Sequence, residues 1–345
     1  MSKIICLGNI QQHDESFLYL KQLGRAFEEL KHNPIFILNR RPPEINLRFQ
    51  NLRILPRKSI EYVKLRKDKS LSVLLSESDI VFAFSYNDLA LALYFKKKLK
   101  KRFKTLYVTL DWKPTRPMNK MYSKKSSMFV FQNEYDSLRI SRKVKLDPKK
   151  GYVLYPSFTL DMLAQVPESE SKLPVCEGKV KILVLGDFSL KNKPKDLINM
   201  ISNLPSGILK KAIFIFNGIS KDYLSDDLKE YSKFKNISEY CLFSDSPEDT
   251  VNLLKSCDLG IINSFTGMDS VKLVQFFMQH RKPVLAFANN CISEFLESPK
   301  FGIIIEFDDE DRFTIIMDDL VKNSELRNEQ GGAWIPNIFR EIFVY

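Results

Sequence analysis

Residues 256–286 constrain the fold of this chain more than any other stretch, because they combine two apolar strands with a helix. The apolar run at 259–262 is typical of a buried parallel strand, and a polar loop is predicted at 263–269. Apolar side chains then recur at helical spacing over 271–278, and a second apolar run at 284–287 predicts the next strand. This order predicts a βαβ unit, whose loop and helix start lie at the carboxyl edge of a parallel sheet.

Hydroxyl groups and one cation are concentrated at that predicted edge. The first turn of a helix leaves backbone N–H groups without partners, and these groups bind anions. Four polar residues stand around the predicted helix start, namely Ser264, Thr266, Ser270 and Lys272. The sequence therefore predicts an anion site here; the alternative is an ordinary βαβ unit with a surface lysine.

The same rhythm of strands and helices runs through the whole chain, which predicts an α/β fold with two Rossmann-like, doubly wound domains. The 345 residues are enough for two such domains. We expect an N-terminal domain at 1–166, a Ser-, Glu- and Pro-containing linker at 167–178, a second domain at 179–330 and a terminal helix at 331–345.

Composition narrows the class of protein. No apolar run approaches the roughly 20 residues that span a bilayer, and the chain enters its first strand directly, so we expect no secretory signal. The five cysteines are scattered and the three histidines are far apart in the sequence, which predicts no metal site and a reducing, cytoplasmic location.

Positive charge is concentrated in the first half. Residues 1–165 hold 32 Lys and Arg against 15 Asp and Glu, a net charge of +17, whereas the remainder holds 21 against 27, a net charge of −6. Seven basic residues fall in 96–104, interleaved with aromatic and leucine side chains. This segment predicts peripheral contact with an anionic membrane face through Lys97, Lys98, Lys101 and Arg102. The alternative is a solvated helix end, and no module signature points to nucleic acid.

A family resemblance rests on residues 269–275, which read Asp-Ser-Val-Lys-Leu-Val-Gln, and on the Lys-Pro-Val-Leu-Ala strand at 282–286. The pattern resembles the nucleotide-sugar-binding half of GT-B glycosyltransferases. It is closest to the xanthan glucuronosyltransferase family, and more distant from the group 1 glycosyltransferases, which usually carry Glu in place of Gln275. The resemblance implies two domains facing a cleft and a terminal helix that returns to the first domain.

The resemblance also implies which residues bind the donor, a UDP-sugar that serves as co-substrate without a metal or other cofactor. Group 1 enzymes commonly have Gly-Arg where this chain has Gly186-Asp187, so more of the diphosphate binding falls on Lys272, Lys193 and the helix start. A loop beginning at Ser244 resembles the segment that meets the base. Asn289 or Glu294 is implied to contact the sugar or acceptor. The implied donor-binding set is Gly186, Lys193, Ser244, Ser270, Val271, Lys272 and Gln275.

Catalysis is expected to depend on Asp111, which follows the predicted strand at 105–110. A carboxylate at the carboxyl edge of a sheet is a suitable general base, and the resembled family has an aspartate base at a comparable point. The alternative is an Asp111 that pairs with Arg116 or Lys113, or that caps a turn. The loop carrying His13, Asp14 and Glu15 is expected to face the acceptor, unless His13 is simply solvated.

Three functional hypotheses follow. The leading one is an inverting, metal-independent transferase that acts on a lipid-linked or polysaccharide acceptor at the inner face of the cell membrane; a glucuronosyl donor is implied by the resemblance alone. The second is a retaining group 1 transferase, whose typical Glu-x7-Glu pair is absent because positions 267 and 275 are Gly and Gln. The third is a binding or scaffold protein of the same shape without activity.

Overall fold

The chain divides into two compact units, Met1–Ser157 and Phe158–Tyr345. The structure, a computed structural model, describes residues 3–8, 20, 23, 24, 26, 27, 30–38, 52–54, 65–109, 125–154, 176, 178–218, 225–244, 249–264, 267–289, 292–296 and 302–332. Of the predicted linker at 167–178 only Cys176 and Gly178 are described, and the predicted terminal helix lies beyond the described residues except for 331 and 332. Both therefore stay predictions.

The first unit is built on a seven-stranded sheet whose paired strands are all parallel. Its strands are β1 (Ile4–Gly8), β2 (Ile35–Leu38), β3 (Leu52–Ile54), β4 (Ile80–Ala83), β5 (Lys104–Val108), β6 (Met128–Phe131) and β7 (Gly151–Val153). Its helices are α1 (Lys69–Ser76), α2 (Tyr86–Lys98) and α3 (Glu134–Val144). The strand order is β3-β2-β1-β4-β5-β6-β7. The direction of strand order therefore reverses between β1 and β4, as in doubly wound folds.

Side-chain alternation along β1 explains the layers of this unit. Ile4 and Cys6 belong to one buried apolar cluster, while Ile5 and Leu7 belong to another on the opposite face of the sheet. Because both faces are covered by apolar side chains, the strand reads as a continuous apolar run rather than as an alternating one.

The second unit is built on a six-stranded parallel sheet in the order β10-β9-β8-β11-β12-β13. Its strands are β8 (Val180–Gly186), β9 (Ala212–Asn217), β10 (Cys241–Ser244), β11 (Leu259–Asn263), β12 (Val284–Phe287) and β13 (Ile303–Ile305). Its helices are α4 (Pro194–Ser202), α5 (Ser206–Leu209), α6 (Ser225–Phe234), α7 (Asp249–Ser256), α8 (Gly267–Gln279), α9 (Ile292–Phe295), α10 (Glu310–Lys322) and α11 (Ser324–Gly332).

The predicted fold class is confirmed, since both units are parallel α/β units of Rossmann-like strand order. Short strands β3 and β7 were not predicted, because three-residue strands carry too little pattern to be distinguished from loops. Among the described residues, no helix combines the length and the apolar character needed to cross a bilayer.

Candidate functional site

The strand order of the second sheet reverses between β8 and β11. These strands are neighbours, while β8 also pairs with β9 on one side and β11 with β12 on the other. In open parallel sheets, ligands bind outside the carboxyl ends of the strands at such a reversal. Gly186 and Asn263 form the last register pair of β8 and β11 there. The candidate site is therefore this edge of the second sheet.

The backbones at this edge approach one another too closely for a side chain at Gly186. A Cβ atom on Gly186 would lie 2.2 Å from the backbone oxygen of Asn263, and a Cβ atom on Gly218 would lie 2.1 Å from the backbone oxygen of Gly186. Both distances are below any real van der Waals contact, so glycine is required at both positions. The sequence pattern singled out Gly186 but missed Gly218, whose role depends on a neighbouring strand.

The segment after β8 is held by its own side chains. The carboxylate of Asp187 accepts hydrogen bonds from the Ser189 backbone N–H at 3.1 Å and from its hydroxyl at 2.9 Å. Lys191 Nζ lies 3.5 Å from the same carboxylate, and Asn192 Nδ2 donates to the Asp187 backbone oxygen at 2.6 Å. Asp187, which replaces the arginine of the resembled group 1 pattern, thus has a structural role in shaping this turn.

Lys193 stands at the end of that turn in the left-handed region, with φ of 47°, and is the N-cap residue of α4. Its Nζ lies 5.3 Å from the centroid of the Phe307 ring. The side chain is exposed, so the ammonium group is accessible to a ligand.

Helix α8 begins at Gly267, four residues before the predicted start. The N-cap residue and the first three helical residues have N–H groups without an intrahelical acceptor, so the free donors among the described residues belong to 267–269. Val271 is the fifth residue, and its side chain is fully buried. The helix forms one turn earlier than predicted, and the N–H of a fifth residue is used within the helix, so Val271 lies beyond the free backbone donors of the helix start.

The other predicted residues of α8 have distinct surroundings. Ser270 is fully buried, and its hydroxyl accepts a hydrogen bond from Asn289 Nδ2 at 3.2 Å. Lys272 is half-buried, with Nζ 5.8 Å from the centroid of the Phe276 ring. Gln275 is also half-buried. Ser270 thus lies in the first turn and is linked to the segment after β12, whereas Lys272 follows in the second turn.

At the carboxyl ends of β9 and β10, the polar side chains are satisfied by one another. The Ser244 hydroxyl donates to Asp249 Oδ2 at 2.8 Å. Asn217 Nδ2 donates to the Ser244 backbone oxygen at 3.4 Å, and Asn217 Oδ1 accepts from the Thr250 hydroxyl at 2.6 Å. Because the Ser244 hydroxyl donates its proton to Asp249, its oxygen can act toward a further group only as a hydrogen-bond acceptor.

The polar side chains at the end of β11, in contrast, do not satisfy one another. Asn263 is fully buried and Ser264 is 1% exposed. The two amide atoms of Asn263 and the hydroxyl of Ser264 have no hydrogen-bond partner in the described part of the chain. The sequence prediction did not include Asn263, because nothing in its local pattern distinguishes it from the equally polar Asn217.

The described residues offer neither a metal site nor a reactive buried thiol. Within the described ranges, no group of three or more His, Cys, Asp and Glu side chains is arranged to hold a metal ion. Burial raises the pKa of the Cys241 and Cys257 thiols to about 12 and moves the pKa of Cys6 in the same direction. These three thiols stay protonated near neutral pH, so they are poor nucleophiles.

In the basic segment, the structure separates the cations from the apolar residues. Lys97, Lys98, Lys101 and Arg102 are all exposed. Phe95 and Phe103, in contrast, are buried in the core between the sheet and its helices. The expected amphipathic character therefore does not give an apolar membrane face, because the apolar residues are used by the fold itself.

Five predicted site residues lie outside the described residues. They are the candidate base Asp111, the candidate acceptor residues His13, Asp14 and Glu15, and Thr266 of the predicted anion site.

The comparisons with known proteins give a fold and no sequence family. No family model matches the chain, and no curated protein matches its sequence. A crystal structure of HepE from Anabaena in complex with UDP and glucose matches with a TM-score of 0.72 at 14% identity, over 99% of this chain and 96% of that chain. A glycosyltransferase from Rickettsia africae matches with a TM-score of 0.75 at 14% identity, over 99% and 94%.

A third solved structure is also similar to this chain. The lipopolysaccharide outer core galactosyltransferase WaaB matches with a TM-score of 0.69 at 11% identity, over 100% of this chain and 98% of that chain. Identities this low establish the fold alone. The matches support the GT-B fold class expected from the sequence, because they cover almost the whole of each chain.

Proposed function

We propose that this protein is a glycosyltransferase that takes a sugar from a UDP-sugar and transfers it to a hydroxyl group of an acceptor. The observation that carries the proposal is the edge between β8 and β11, where Gly186 and Asn263 meet at a reversal of strand order. The fold matches support it, since HepE, which has the same fold, is described in complex with UDP and with UDP-glucose.

In this proposal the second unit binds the diphosphate of the donor. The free N–H groups at 267–269 are its backbone donors, and Lys272 and Lys193 supply positive charge without a metal ion. This charge matters most as the bond between sugar and phosphate breaks, because the leaving UDP gains negative charge at that moment. The oxygen of Ser244 and the side chain of Gln275 are proposed to contact the nucleoside.

The proposed chemistry is an inverting displacement with Asp111 as general base. The acceptor hydroxyl oxygen forms a bond to the anomeric carbon of the sugar, and the bond from that carbon to the phosphate oxygen breaks. The hydroxyl proton moves to the Asp111 carboxylate, and UDP leaves with the electron pair. Glucuronic acid as the transferred sugar is part of the proposal on the strength of the sequence resemblance.

The acceptor is proposed to be a lipid-linked or polysaccharide glycan that meets the loop with His13, Asp14 and Glu15. We place the enzyme on the inner face of the cell membrane. The exposed cations Lys97, Lys98, Lys101 and Arg102 support this location through charge alone, with about 1 kcal/mol from each basic residue close to an anionic surface.

The two alternatives make different predictions. A retaining group 1 enzyme would form a product of the same anomeric configuration as its donor, which proton NMR of the first-formed product distinguishes from inversion. A non-catalytic binding protein of this fold would bind UDP-sugars without transferring them.

The direct test is a thermal-shift screen of UDP-glucose, UDP-glucuronic acid and UDP, followed by a UDP-release assay. A ligand at 100 times its dissociation constant adds about 2.7 kcal/mol to the free energy of unfolding. We expect Asp111→Asn to abolish transfer and to leave UDP binding intact. If no nucleotide sugar binds to the wild-type chain, the proposed function is wrong. If Asp111→Asn transfers normally, the assignment of the base is wrong.

The membrane location is tested separately by sedimentation with phosphatidylcholine vesicles, with and without phosphatidylglycerol. We expect pelleting only with the anionic lipid and its loss when Lys97, Lys98, Lys101 and Arg102 are all changed to Gln. The matched control removes the same charge from the second unit by changing Lys210, Lys211, Lys233 and Lys235 to Gln. Equal loss of pelleting in both variants would mean that only the net charge of the protein matters. It would contradict the assignment of membrane contact to Lys97, Lys98, Lys101 and Arg102.

A further inference from the structure

The candidate site contains two buried asparagines, each the last residue of a strand that pairs with β8, and they differ in one respect. Asn217, at the end of β9, is 3% exposed and uses its amide as both donor and acceptor toward Ser244 and Thr250. Asn263, at the end of β11, is fully buried, and neither its Nδ2 nor its Oδ1 meets a partner among the described residues. The hydroxyl of Ser264, the next residue, has none either.

Such unpartnered atoms are costly to the free protein. Burying a donor or an acceptor without a hydrogen bond forfeits the interaction with water that the unfolded chain makes, and native structures contain few such groups. An apolar residue of the same shape would fill the same space without that penalty. The position of Asn263 at the reversal of strand order gives a reason for keeping an amide there, because this is where a ligand reaches the sheet.

The orphaned atoms also restrict the chemistry of the partner. A diphosphate offers only acceptor oxygens near neutral pH, so it could satisfy Nδ2 but would face Oδ1 with like partial charge. Neighbouring hydroxyl groups on a sugar ring each donate and accept, so they can satisfy both atoms of the amide. In this assignment the helix start and the lysines bind the anionic diphosphate, and the Asn263 amide binds an uncharged part of the ligand.

We propose that the Asn263 amide is a specificity-determining group that hydrogen-bonds to hydroxyl groups of the nucleotide sugar rather than to its diphosphate, with the Ser264 hydroxyl as an additional contact. This inference rests on the proposed function. The hydroxyl groups belong either to the transferred sugar or to the ribose. Because the amide is closed off from solvent in the free chain, the edge must open as the ligand binds, as is common for ligand-binding segments.

The test is Asn263→Leu, which replaces Oδ1 and Nδ2 by methyl groups on the same branched skeleton. Binding of inorganic pyrophosphate, UDP and UDP-glucose to the full chain is measured by isothermal titration calorimetry, and thermal midpoints are measured without ligand. We expect an unchanged or higher midpoint, unchanged pyrophosphate binding and a loss of UDP-glucose affinity of about 10- to 100-fold, as two hydrogen bonds are lost. Loss with UDP-glucose alone assigns the transferred sugar, and equal loss with UDP assigns the ribose.

The matched control is Asn217→Leu, which removes an amide whose partners are present. We expect its midpoint to fall, because the Ser244 backbone oxygen and the Thr250 hydroxyl lose their hydrogen bonds. Asn263→Ala is the second variant if the leucine variant fails to fold, since it removes both amide atoms without adding bulk or a buried charge; it too should weaken UDP-glucose binding, with a smaller fall in the midpoint than Asn217→Leu.

Three results would overturn the inference while leaving the proposed function standing. They are UDP-glucose affinity that is equal in wild type and Asn263→Leu, a midpoint that falls as far as in Asn217→Leu, and a loss of pyrophosphate affinity as large as that of UDP-glucose. Failure of the wild-type chain to bind any UDP compound would instead contradict the proposed function itself.

Discussion

The two sheets reverse their strand order in the same way, but the residues at the two reversal points differ. Leucine side chains pack at the reversal in the first unit, whereas a buried asparagine whose side-chain amide has no hydrogen-bond partner among the described residues lies at the reversal in the second. At the end of β1, a Cβ atom on Gly8 would lie 2.9 Å from the side-chain tips of Leu20 and Leu38. At the end of β8, the three atoms nearest to a Cβ atom on Gly186 would all belong to Asn263, and two of them are backbone atoms. Leucine side chains therefore fill the space in the first unit, whereas strand backbone and a polar residue meet in the second.

The polar groups after the next strand differ in the same sense. In the first unit the Ser85 hydroxyl accepts from the Asp88 N–H at 3.1 Å and donates to the Asp88 carboxylate at 2.7 Å. In the second unit Asn263 and Ser264 have no such partners among the described residues. The sequences of both helices carry an aspartate in the first turn, Asp88 in α2 and Asp269 in α8, so charge does not separate the two. The hydroxyl group just before or beside each helix start does, since that of Ser85 has its partner and that of Ser264 has none among the described residues, and this supports the proposal that the second unit binds the ligand.

The largest effect that can test this contrast is steric. We expect Gly186→Ala to destabilise the second unit by about 3 kcal/mol or more and to abolish UDP binding, because the strand backbones must separate. Gly8→Ala should cost about 1 kcal/mol, since leucine tips can move aside. Gly207→Ala is the control, because a Cβ atom there meets nothing within 4 Å. Thermal unfolding measures all three, and equal losses at Gly8 and Gly186 would remove the contrast.

The next effect concerns charge at the second edge. Lys272→Met should weaken UDP binding about 10- to 100-fold, the range expected for a charge-assisted hydrogen bond. Its matched control is Lys235→Met, because Lys235 Nζ also lies 5.8 Å from an aromatic ring centroid, that of Tyr231. Calorimetric titration with UDP separates the two variants. Unchanged affinity in Lys272→Met would exclude this lysine from the diphosphate site.

A smaller effect separates backbone strain from function. Lys193 and Lys145 both adopt left-handed backbone, with φ of 47° and 53°. Glycine adopts left-handed backbone without steric cost. Changing either lysine to Gly should therefore raise the free energy of unfolding of its unit by about 1 kcal/mol. Only Lys193→Gly should also weaken UDP binding, by several-fold, because Lys145 caps α3 in the first unit. An equal loss of UDP affinity in Lys145→Gly would contradict the assignment of UDP binding to the second unit.

The smallest effect is a dependence of stability on pH in the second unit. Burial, and then the positive charges of Lys282 and Lys255, lower the pKa of His280 from its usual 6.5. A histidine with a lowered folded pKa stabilises the fold above its unfolded pKa, and this stability is lost as the pH falls below about 6.5 toward the folded value. We expect His280→Gln to flatten the thermal midpoint between pH 6.5 and 5. A midpoint that falls as steeply as in wild type would contradict this.

The strands that form the candidate edge of the second unit were predictable because they depend on local pattern. The apolar runs marked β8, β11 and β12, and the polar residues after them identified the edge around Gly186 and Ser270. The helix start was misplaced, since 267–270 includes a glycine and polar residues that carry no helical periodicity and are helical only in the context of the packed helix. The burial of Phe95 and Phe103 was equally invisible, because a basic apolar segment looks the same whether its apolar side chains face a core or a membrane.

The sequence by itself determined the parallel α/β architecture, because strand and helix periodicity and the placement of glycine and proline are properties of neighbouring residues. Only the tertiary structure decided which polar groups find partners. Asn217 and Asn263 both end a buried strand, and the difference between them is made by residues from other strands and helices. A hydrogen bond between distant residues depends on three-dimensional proximity, and that proximity is absent from the local sequence of either asparagine.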